Sequence, residues 1–215
     1  FVAIYLVQEH ICPRVIATDI NEGPLSRARE HIEGAGLSAY IETRLSDGLE
    51  KLAAGEVECM IAAGMGGRLI VKILEDYPEK RQSLRYLILQ PQSELSCVRG
   101  YLRKKGFVIR REDMVLEDGK FYPMMLAEAV NAGGEALLDA EKNAYLESLE
   151  DEFGPCLIRE RNPVLLTYLD WWEELQNKIL KEVLTYPNRR DQVEEELRRI
   201  RDVRRRMDTD GGGAV

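Results

Sequence analysis

The 215-residue sequence predicts an α/β fold, with a Rossmann-like, doubly wound and mostly parallel sheet that ends in an antiparallel hairpin. Apolar runs typical of buried strands alternate with runs of helical spacing over residues 1–105. Two further strand patterns flank Asp118-Gly119, a dipeptide that favours a tight hairpin turn. No strand pattern follows Val130, so we expect a helical, coiled-coil-like extension beyond the sheet.

Local sequence signals predict where the strands and helices of the sheet region begin and end. Val15 to Ile20 is an apolar run that ends in an acid, which predicts a strand with its tip at Asp19. Gly23-Pro24 opens the next helix, because proline is favoured in a first turn. Ser93 is the expected N-cap of the helix after the fourth strand. The predicted strands are residues 15–20, 39–45, 58–63 and 84–89, and the predicted helices are residues 24–34, 49–54, 68–76 and 93–105.

The C-terminal part of the chain is predicted to be helical. Asn162-Pro163 begins a long helix that reaches about Thr185, and a second helix runs from about Asp191 to Met207. Apolar residues recur at spacings of three and four in both helices, as an antiparallel helix pair requires. We therefore predict a sheet domain over residues 1–132, a helical domain over residues 133–208 and a flexible tail over residues 209–215. The apolar face of the second helix consists of Val193, Leu197, Ile200, Val203 and Met207.

Composition narrows the possible functions. The formal net charge of −8 disfavours a nucleic-acid partner, but residues 181–207 hold nine Lys or Arg against six Asp or Glu. A second basic cluster lies between Arg99 and Arg111, and the alternative for both clusters is a solvated helix face. The four cysteines are scattered without metal-ligand spacing, so we predict no metal site and a reducing, cytoplasmic location. Apolar runs are too short to cross a bilayer, and we expect no membrane partner.

Unusual residues follow the ends of four predicted strands. These are Asp19, Asp47-Gly48, the glycine-rich Ala63 to Gly67, and Gln90-Pro91-Gln92. A carboxylate such as Asp19 can accept hydrogen bonds from both hydroxyls of a ribose, and glycines let the backbone approach a ligand. Each segment alone is also explained by a turn, a cap or a surface acid. Because four of them would lie at one edge of the sheet, the sequence favours a nucleoside site there.

The type of nucleoside ligand stays open at this point. The sequence contains neither the P-loop pattern nor Gly-x-Gly-x-x-Gly, and an acid at a strand tip fits a dinucleotide or S-adenosylmethionine. The chain starts at Phe1 within a helical pattern that has no N-cap. We therefore expect a fragment, whose first strand and glycine-rich loop precede Phe1.

The ordered motifs carry a resemblance to one family. They are Ala17-Thr18-Asp19-Ile20-Asn21, Asp47-Gly48-Leu49-Glu50, Ala63-Gly64-Met65-Gly66-Gly67, Leu87-Ile88-Leu89-Gln90-Pro91, Glu117-Asp118-Gly119-Lys120 and Gly154-Pro155. Together with the helical extension, they resemble the bacterial tRNA (adenine-N1) methyltransferases that modify adenine 22 in the D-arm. The resemblance covers essentially the whole chain, and it is the order of the motifs, more than any one of them, that is specific.

The resemblance implies a class I methyltransferase with S-adenosylmethionine as cofactor and tRNA as partner. It assigns the cofactor-binding residues to Asp19, Ile20, Asn21, Asp47, Gly48, Ala63, Gly64, Met65 and Gly66. It places Gln90, Pro91 and Gln92 on the side of the target base, where Gln90 would accept a hydrogen bond from the exocyclic amine of adenine. The family's first motif, with its proposed catalytic aspartate, would lie upstream of Phe1, so the 215 residues alone are expected to be inactive.

Candidate tRNA-binding residues come from the two basic clusters. They are Arg103, Lys104, Lys105, Arg198, Arg201, Arg204 and Arg205. For the helical pair, the alternative is a packing or dimerisation element. For the function, the alternatives are a methyltransferase acting on another RNA or on a small molecule, and a nucleotide- or RNA-binding module without catalysis.

Overall fold

A computed structural model describes residues 1–130, 144–183 and 186–209. Internal contacts divide the chain into two units. The first contains Phe1–Val57 and Lys72–Ser83, and the second contains Glu58–Val71 with the described residues from Leu84 onward. The predicted domain boundary at 132 and the tail after 209 fall outside the described residues, so the proposed division into a sheet domain and a helical domain stays a prediction.

The first unit is built on two parallel strands. In their register Val15 is opposite Ile41 and Asp19 is opposite Leu45, so the tips of the strands are level. A small apolar core around Val7, Ile32 and Ile41 holds the helices against the strands. The elements are α1 (Val2–Gln8), β1 (Val15–Asp19), α2 (Glu22–Gly34), β2 (Ile41–Leu45) and α4 (Pro78–Ser83), joined by the end of α3 (Gly67–Asp76).

The second unit contains a mixed four-stranded sheet with the order β3-β4-β6-β5. Strands β3 and β4 are parallel, whereas β6 is antiparallel to both of its neighbours. The predicted hairpin is confirmed: Asp118 and Gly119 both have positive φ, as the turn that matches strand twist requires. The elements are β3 (Cys59–Gly66), β4 (Tyr86–Ser93), α5 (Leu95–Lys104), β5 (Phe107–Glu117) and β6 (Lys120–Ala129).

Two expectations about the sheet region need correction. Instead of one mostly parallel sheet, the described residues form two sheets, because no described strand pairs with both β1 and β3. The predicted helix over residues 49–54 is a series of turns. Its start is prevented by Gly48, which has a φ of +56°, and by the Ser46 hydroxyl, which accepts the Lys51 N–H at 3.0 Å. Side-chain bonds of this kind compete with helical ones.

The helical region contains four helices in the described residues, namely α6 (Ala144–Phe153), α7 (Pro155–Arg159), α8 (Pro163–Glu182) and α9 (Pro187–Thr209). Helices α8 and α9 were predicted, and α6 and α7 were not. Asn162 caps α8, since its side-chain oxygen accepts the N–H groups of Val164 and Leu165 at 2.9 and 3.1 Å. All five residues of the predicted apolar face of α9 are buried.

Helices α8 and α9 run antiparallel, because Arg161, just before the start of α8, donates to backbone carbonyls in the last turn of α9. Leu165 and Leu169 of α8 are completely buried in the core that they share with α9 and with Met114 of β5. In the part of the chain that the structure describes, no helix has the length and apolar character needed to span a membrane.

Candidate active site

Asp19 ends β1 and organises the turn into α2. One of its carboxylate oxygens accepts the Asn21 N–H at 2.8 Å, which leaves the carboxylate at the tip of the strand. Ile20 is exposed at 61% of its surface, and Asn21 occupies the N-cap position of α2 with an extended backbone. The predicted acid therefore lies at the carboxyl end of a parallel strand, the edge at which open α/β sheets bind ligands.

Asp47 and Gly48 lie at the same end of this two-stranded sheet. The Ser46 N–H donates to the Asp19 carbonyl at 2.9 Å, which brings the two strand tips together. A side chain at Gly48 would place its Cβ 2.7 Å from Cγ2 of Ile73, and the φ of +56° also favours glycine. Gly48 is thus fixed by the packing of α3. The sequence pattern did not identify Ser46 or Ile73 as supports of this turn.

Charged side chains hold the turns that follow Asp47. Arg44 pairs with Glu42 and Glu56 at 2.6 Å, and its Nη1 donates to the Lys51 carbonyl at 3.0 Å. The hydrogen bond from Arg44 lowers the pKa of Glu56 to about 2. Lys80 donates to the carbonyls of residues 49 and 50 at 2.9 and 2.6 Å. The turns therefore have fixed partners on both sides and do not depend on a helix of their own.

In the second unit, the tips of β3 and β4 carry a bulge each. Ala63 is opposite Gln90, Met65 is opposite Pro91, and Gly66 is opposite Ser93. Gly64 is therefore an extra residue on β3, and Gln92 is an extra residue on β4. Gln90, Pro91 and Gln92 lie within β4 and not after it, which corrects the predicted end of that strand. Paired bulges of this kind redirect side chains and are over-represented beside active sites.

A hydrogen bond between Gln90 and Gly64 joins the two tips. Gly64 has a φ of +73°, and its N–H donates to the side-chain oxygen of Gln90 at 2.9 Å. The Gln90 side-chain nitrogen is buried and has no hydrogen-bond partner among the residues that the structure describes. The predicted acceptor role of Gln90 toward the base is thus shared with Gly64, and an amide donor is left over that the sequence did not reveal.

The start of α3 packs tightly against the end of β4. A Cβ at Gly67 would lie 2.5 Å from the Ser93 carbonyl oxygen and 2.9 Å from that of Glu94. The Glu94 carboxylate accepts the Arg68 N–H at 3.3 Å and pairs with the Arg68 side chain. Glu94, with a φ of +54°, occupies the N-cap position of α5 that was predicted for Ser93. The glycine-rich segment is consequently held by residues of β4 and the following loop.

Arg99, grouped with the second basic cluster in the sequence, is buried and cannot contact a phosphate in this structure. Its side chain is 2% exposed and that of Glu112 is 0% exposed, with 2.8 Å between Nε and the carboxylate. Arg99 also donates to the carbonyls of Asp151 and Glu152 at 2.9 and 2.8 Å. Glu112 accepts the Cys156 N–H at 2.8 Å. We refer to Arg99, Glu112 and their backbone partners, together with Gly154, as the Arg99 cluster.

The predicted tRNA-binding residues differ in how they are engaged. Arg103 bridges to Glu147 and Asp151 of α6 at 2.6 Å, and Arg204 bridges to α8 at 2.5 Å. Arg205 is 75% exposed and pairs within its own helix, with Asp202 at 3.3 Å. The remaining four are exposed: Lys104 and Lys105 at the C-terminal end of α5, and Arg198 and Arg201 on α9.

In the described part of the chain, the residues at the strand tips line neither of two cavities and form no metal-ligand group. The described residues contain no group of three or more His, Cys, Asp or Glu side chains that could hold a metal ion. A cavity of about 190 Å³ is lined by α2 and β2 side chains such as Arg29 and Thr43, and one of about 90 Å³ has Phe121 and Tyr168 among its lining residues. Neither cavity is lined by Asp19, Asp47 or Gln90.

Comparisons with known proteins agree on one family. The model of the family described as tRNA (adenine(22)-N(1))-methyltransferase, TrmK, matches residues 1–204. The chain is 35% identical over 177 residues to the Bacillus subtilis (strain 168) tRNA (adenine(22)-N(1))-methyltransferase, which covers 82% of this chain and 71% of that protein.

Solved structures show the same α/β Rossmann-like methyltransferase fold. The crystal structure of the B. subtilis m1A22 tRNA methyltransferase TrmK has a TM-score of 0.77 at 28% identity, covering 94% of this chain and 86% of that one. A Streptococcus pneumoniae protein in complex with S-adenosyl-L-methionine also has a TM-score of 0.77, at 31% identity and with the same coverage. The chain therefore belongs to the tRNA (adenine(22)-N(1))-methyltransferase family.

Proposed function

We propose that this chain transfers a methyl group from S-adenosylmethionine to the N1 nitrogen of adenine 22 in the D-arm of tRNA. The observation that carries the proposal is the match of the family model to residues 1–204. The residues at the strand tips fit this reaction, because they supply a carboxylate, glycines with positive φ and an amide, and the chemistry requires no metal. A tRNA substrate also supports a cytoplasmic location.

The first unit supplies groups suited to a nucleoside. Asp19 has one carboxylate oxygen on the Asn21 N–H, and a carboxylate has lone pairs to accept ribose hydroxyls as well. Asp47, exposed in a turn whose shape is set by Ser46 and Gly48, can accept from the adenine amine of the cofactor. We assign Asp19, Ile20, Asn21, Asp47 and Gly48 to the nucleoside part of S-adenosylmethionine.

In the second unit, we assign residues to the methionine part of the cofactor and to the target base. Ala63 to Gly66 would lie beside the methionine part of the cofactor, where Gly64 lets the backbone approach closely. When bound, the cofactor supplies an electrophilic methyl group on a positively charged sulfur. Gln90, Pro91 and Gln92 face the target adenine in this assignment. Their task is to orient the base so that its N1 lone pair points at the methyl, since alignment supplies much of the rate enhancement.

Recognition of tRNA needs a further surface. Adenine 22 lies in a helical arm, so the base must leave its stack, which costs a few kcal/mol. Contacts to phosphates can offset that cost. We propose that exposed cations of α9, above all Arg201 and Arg205, and Lys104 at the end of α5 make these contacts. Arg103 and Arg204 are already paired with acids of neighbouring helices, and we propose that they mainly position those helices.

A substitution at Asp19 tests the cofactor assignment in the full-length protein. Asp19→Asn keeps the size of the side chain but removes the charge and one acceptor, so the dissociation constant for S-adenosylmethionine should rise about 10- to 100-fold. The affinity for tRNA should not change. Calorimetry measures the first quantity and filter binding the second. Asp76→Asn, an exposed acid at the end of α3, is the control and should leave both constants unchanged.

Two results would contradict the proposal in different ways. An unchanged cofactor affinity in Asp19→Asn would refute the ribose assignment alone. The function itself is tested by replacing adenine 22 with guanine in a tRNA transcript: the wild-type protein should then incorporate no methyl group. Methylation that persists on this transcript would show that another position is the target.

A further inference from the structure

The orientation of the Gln90 amide is fixed by its partner. The side-chain oxygen and nitrogen of glutamine have nearly the same shape, so geometry alone seldom distinguishes them. Here the neighbouring group is the Gly64 N–H, which can only donate, and it lies 2.9 Å from the amide. The atom that faces Gly64 must therefore be the oxygen. The NH₂ group must point to the opposite side.

This orientation leaves defined hydrogen-bonding capacity at the strand tips. An amide oxygen has two lone pairs, and Gly64 uses one of them. The NH₂ group carries two donors, and its nitrogen has no partner among the described residues although it is buried. A buried donor without an acceptor costs about as much as a lost hydrogen bond, so native proteins seldom keep one unless ordered water or a ligand completes it.

The target base offers a matching pair of groups. N1 of adenine must keep its lone pair free to attack, so a donor placed on N1 would block the reaction. The adjacent edge of the ring presents the N6 amine, a donor, and N7, an acceptor. A glutamine amide pairs with these two atoms in a bidentate manner, and this pairing selects adenine.

We propose that Gln90 binds the target adenine through N6 and N7, and thereby directs N1 toward the methyl group. Its oxygen accepts from N6 with the lone pair that Gly64 leaves free, and its NH₂ group donates to N7. This inference rests on the proposed function, since it assumes that adenine is the base that enters the site. It makes Gln90 a specificity-determining residue, because guanine presents an oxygen at position 6 that would face the Gln90 oxygen.

The bulges explain why Gln90 can hold this orientation. An extra residue in a bulge is left out of the strand ladder, and the Gln90 side chain takes up the N–H of the extra residue Gly64. The amide is thereby fixed before the base arrives. Gln92, the extra residue of β4, is exposed, and its side-chain nitrogen lies 3.8 Å from the position that a Cβ would take at Gly64.

The test combines a variant with a modified base in a tRNA transcript. Replacing adenine 22 by 7-deazaadenine removes the N7 acceptor and changes nothing else on that edge. Gln90→Glu keeps an oxygen for the Gly64 N–H and removes the NH₂ donors. In the full-length protein, single-turnover methylation by the wild type should be about tenfold slower with the modified base, as expected for one lost hydrogen bond. Gln90→Glu should be at least tenfold slower with normal tRNA and equally slow with both substrates.

Three controls separate this role from a structural one. Gln82→Glu is the same change at an exposed residue of α4, and it should keep the wild-type rate and its tenfold sensitivity to 7-deazaadenine. Gln90→Met, which removes both polar groups, should be as insensitive to the modified base as Gln90→Glu. Calorimetry should give the same affinity for S-adenosylmethionine in Gln90→Glu and in the wild type.

The outcomes are distinguishable. Equal wild-type rates on both transcripts, or a tenfold sensitivity that persists in Gln90→Glu, would overturn the role of Gln90 while the methylation of adenine 22 stands. Loss of cofactor affinity in Gln90→Glu would also overturn it, by placing the amide on the cofactor. Failure of the full-length wild-type protein to methylate the unmodified transcript would refute the proposed function and the inference together.

Discussion

Two arginines that both belong to basic clusters of the sequence have opposite environments in the structure. Arg99 of α5 belongs to the second basic cluster, yet its side chain is 2% exposed and bonds to Glu112 and to a backbone carbonyl of α6. Arg205 of α9 is 75% exposed and pairs with Asp202 one turn away in the same helix. Both were assigned to basic clusters by their positions in the chain.

The difference shows that the role of an arginine, in stability or in binding, depends on the residues that surround it in the fold and not on the charge of its neighbours in the sequence. The Arg99 cluster joins β5, α5, the end of α6 and the start of α7, and Glu112 balances its charge. A buried ion pair of this type stabilises only while it is complete, because a single remaining charge has no water to solvate it. The exposed arginines of α9 can lose one partner and gain another at little cost. We therefore expect substitutions to affect stability in one region and binding in the other.

The largest effect is expected from Glu112→Ala. This change leaves the Arg99 guanidinium buried without its carboxylate and removes the acceptor of the Cys156 N–H. The free energy of unfolding should fall by about 3–5 kcal/mol. Urea denaturation followed by circular dichroism measures it. Glu174→Ala removes one member of an exposed pair with Lys178 and should have little effect. Equal effects of the two substitutions would contradict the distinction between the regions.

Gly154→Ala should have the next largest effect. The new Cβ would lie 2.8 Å from the Glu112 carboxylate, at a residue whose φ is +97°. Strain and the clash together should lower the free energy of unfolding by about 2–4 kcal/mol. Gly106→Ala is the matched control, because Gly106 also has positive φ but has open space around it, and it should cost about 1–2 kcal/mol. If both glycines give the same loss, backbone strain alone accounts for the effect.

The smallest effect on stability, and the largest on binding, is expected from Arg201→Glu combined with Arg205→Glu. Both side chains are exposed on α9, so the melting temperature should not change. Loss of two phosphate contacts should lower tRNA affinity at least tenfold and flatten its dependence on salt. Filter binding at several salt concentrations measures both quantities. Arg159→Glu, in α7, is the control for charge reversal. An unchanged tRNA affinity would leave α9 with a packing role only.

Features set by neighbours in the chain could be predicted from the sequence. The hairpin at Asp118-Gly119 needs two residues with positive φ, and the dipeptide itself supplies them. The buried face of α9 follows from the spacing of its apolar residues. Asp19 at the tip of β1 was likewise predicted, because an apolar run that stops at an acid marks the end of a strand.

Features set by distant residues could not be predicted. Arg99 finds Glu112 on another element, and its backbone acceptors lie more than 50 residues along the chain. The role of Gly154 depends on that pair, so no local pattern distinguishes it from a turn glycine. The Gln90 amide was expected to accept from the base, and only the structure shows that its oxygen already accepts the Gly64 N–H.

The bulges at Gly64 and Gln92 shift the register between β3 and β4 in opposite directions, so that together they leave it unchanged. Before them Ala63 is opposite Gln90, and after them Gly66 is opposite Ser93, which is the same offset between the strands. Removing Gly64 alone would shift every later pair by one residue and turn the side chains to the wrong face. Removing Gln92 alone would do the same in the opposite sense. In aligned relatives, a gap at one of these positions should therefore be accompanied by a gap at the other. The two extra residues are expected to be gained or lost together.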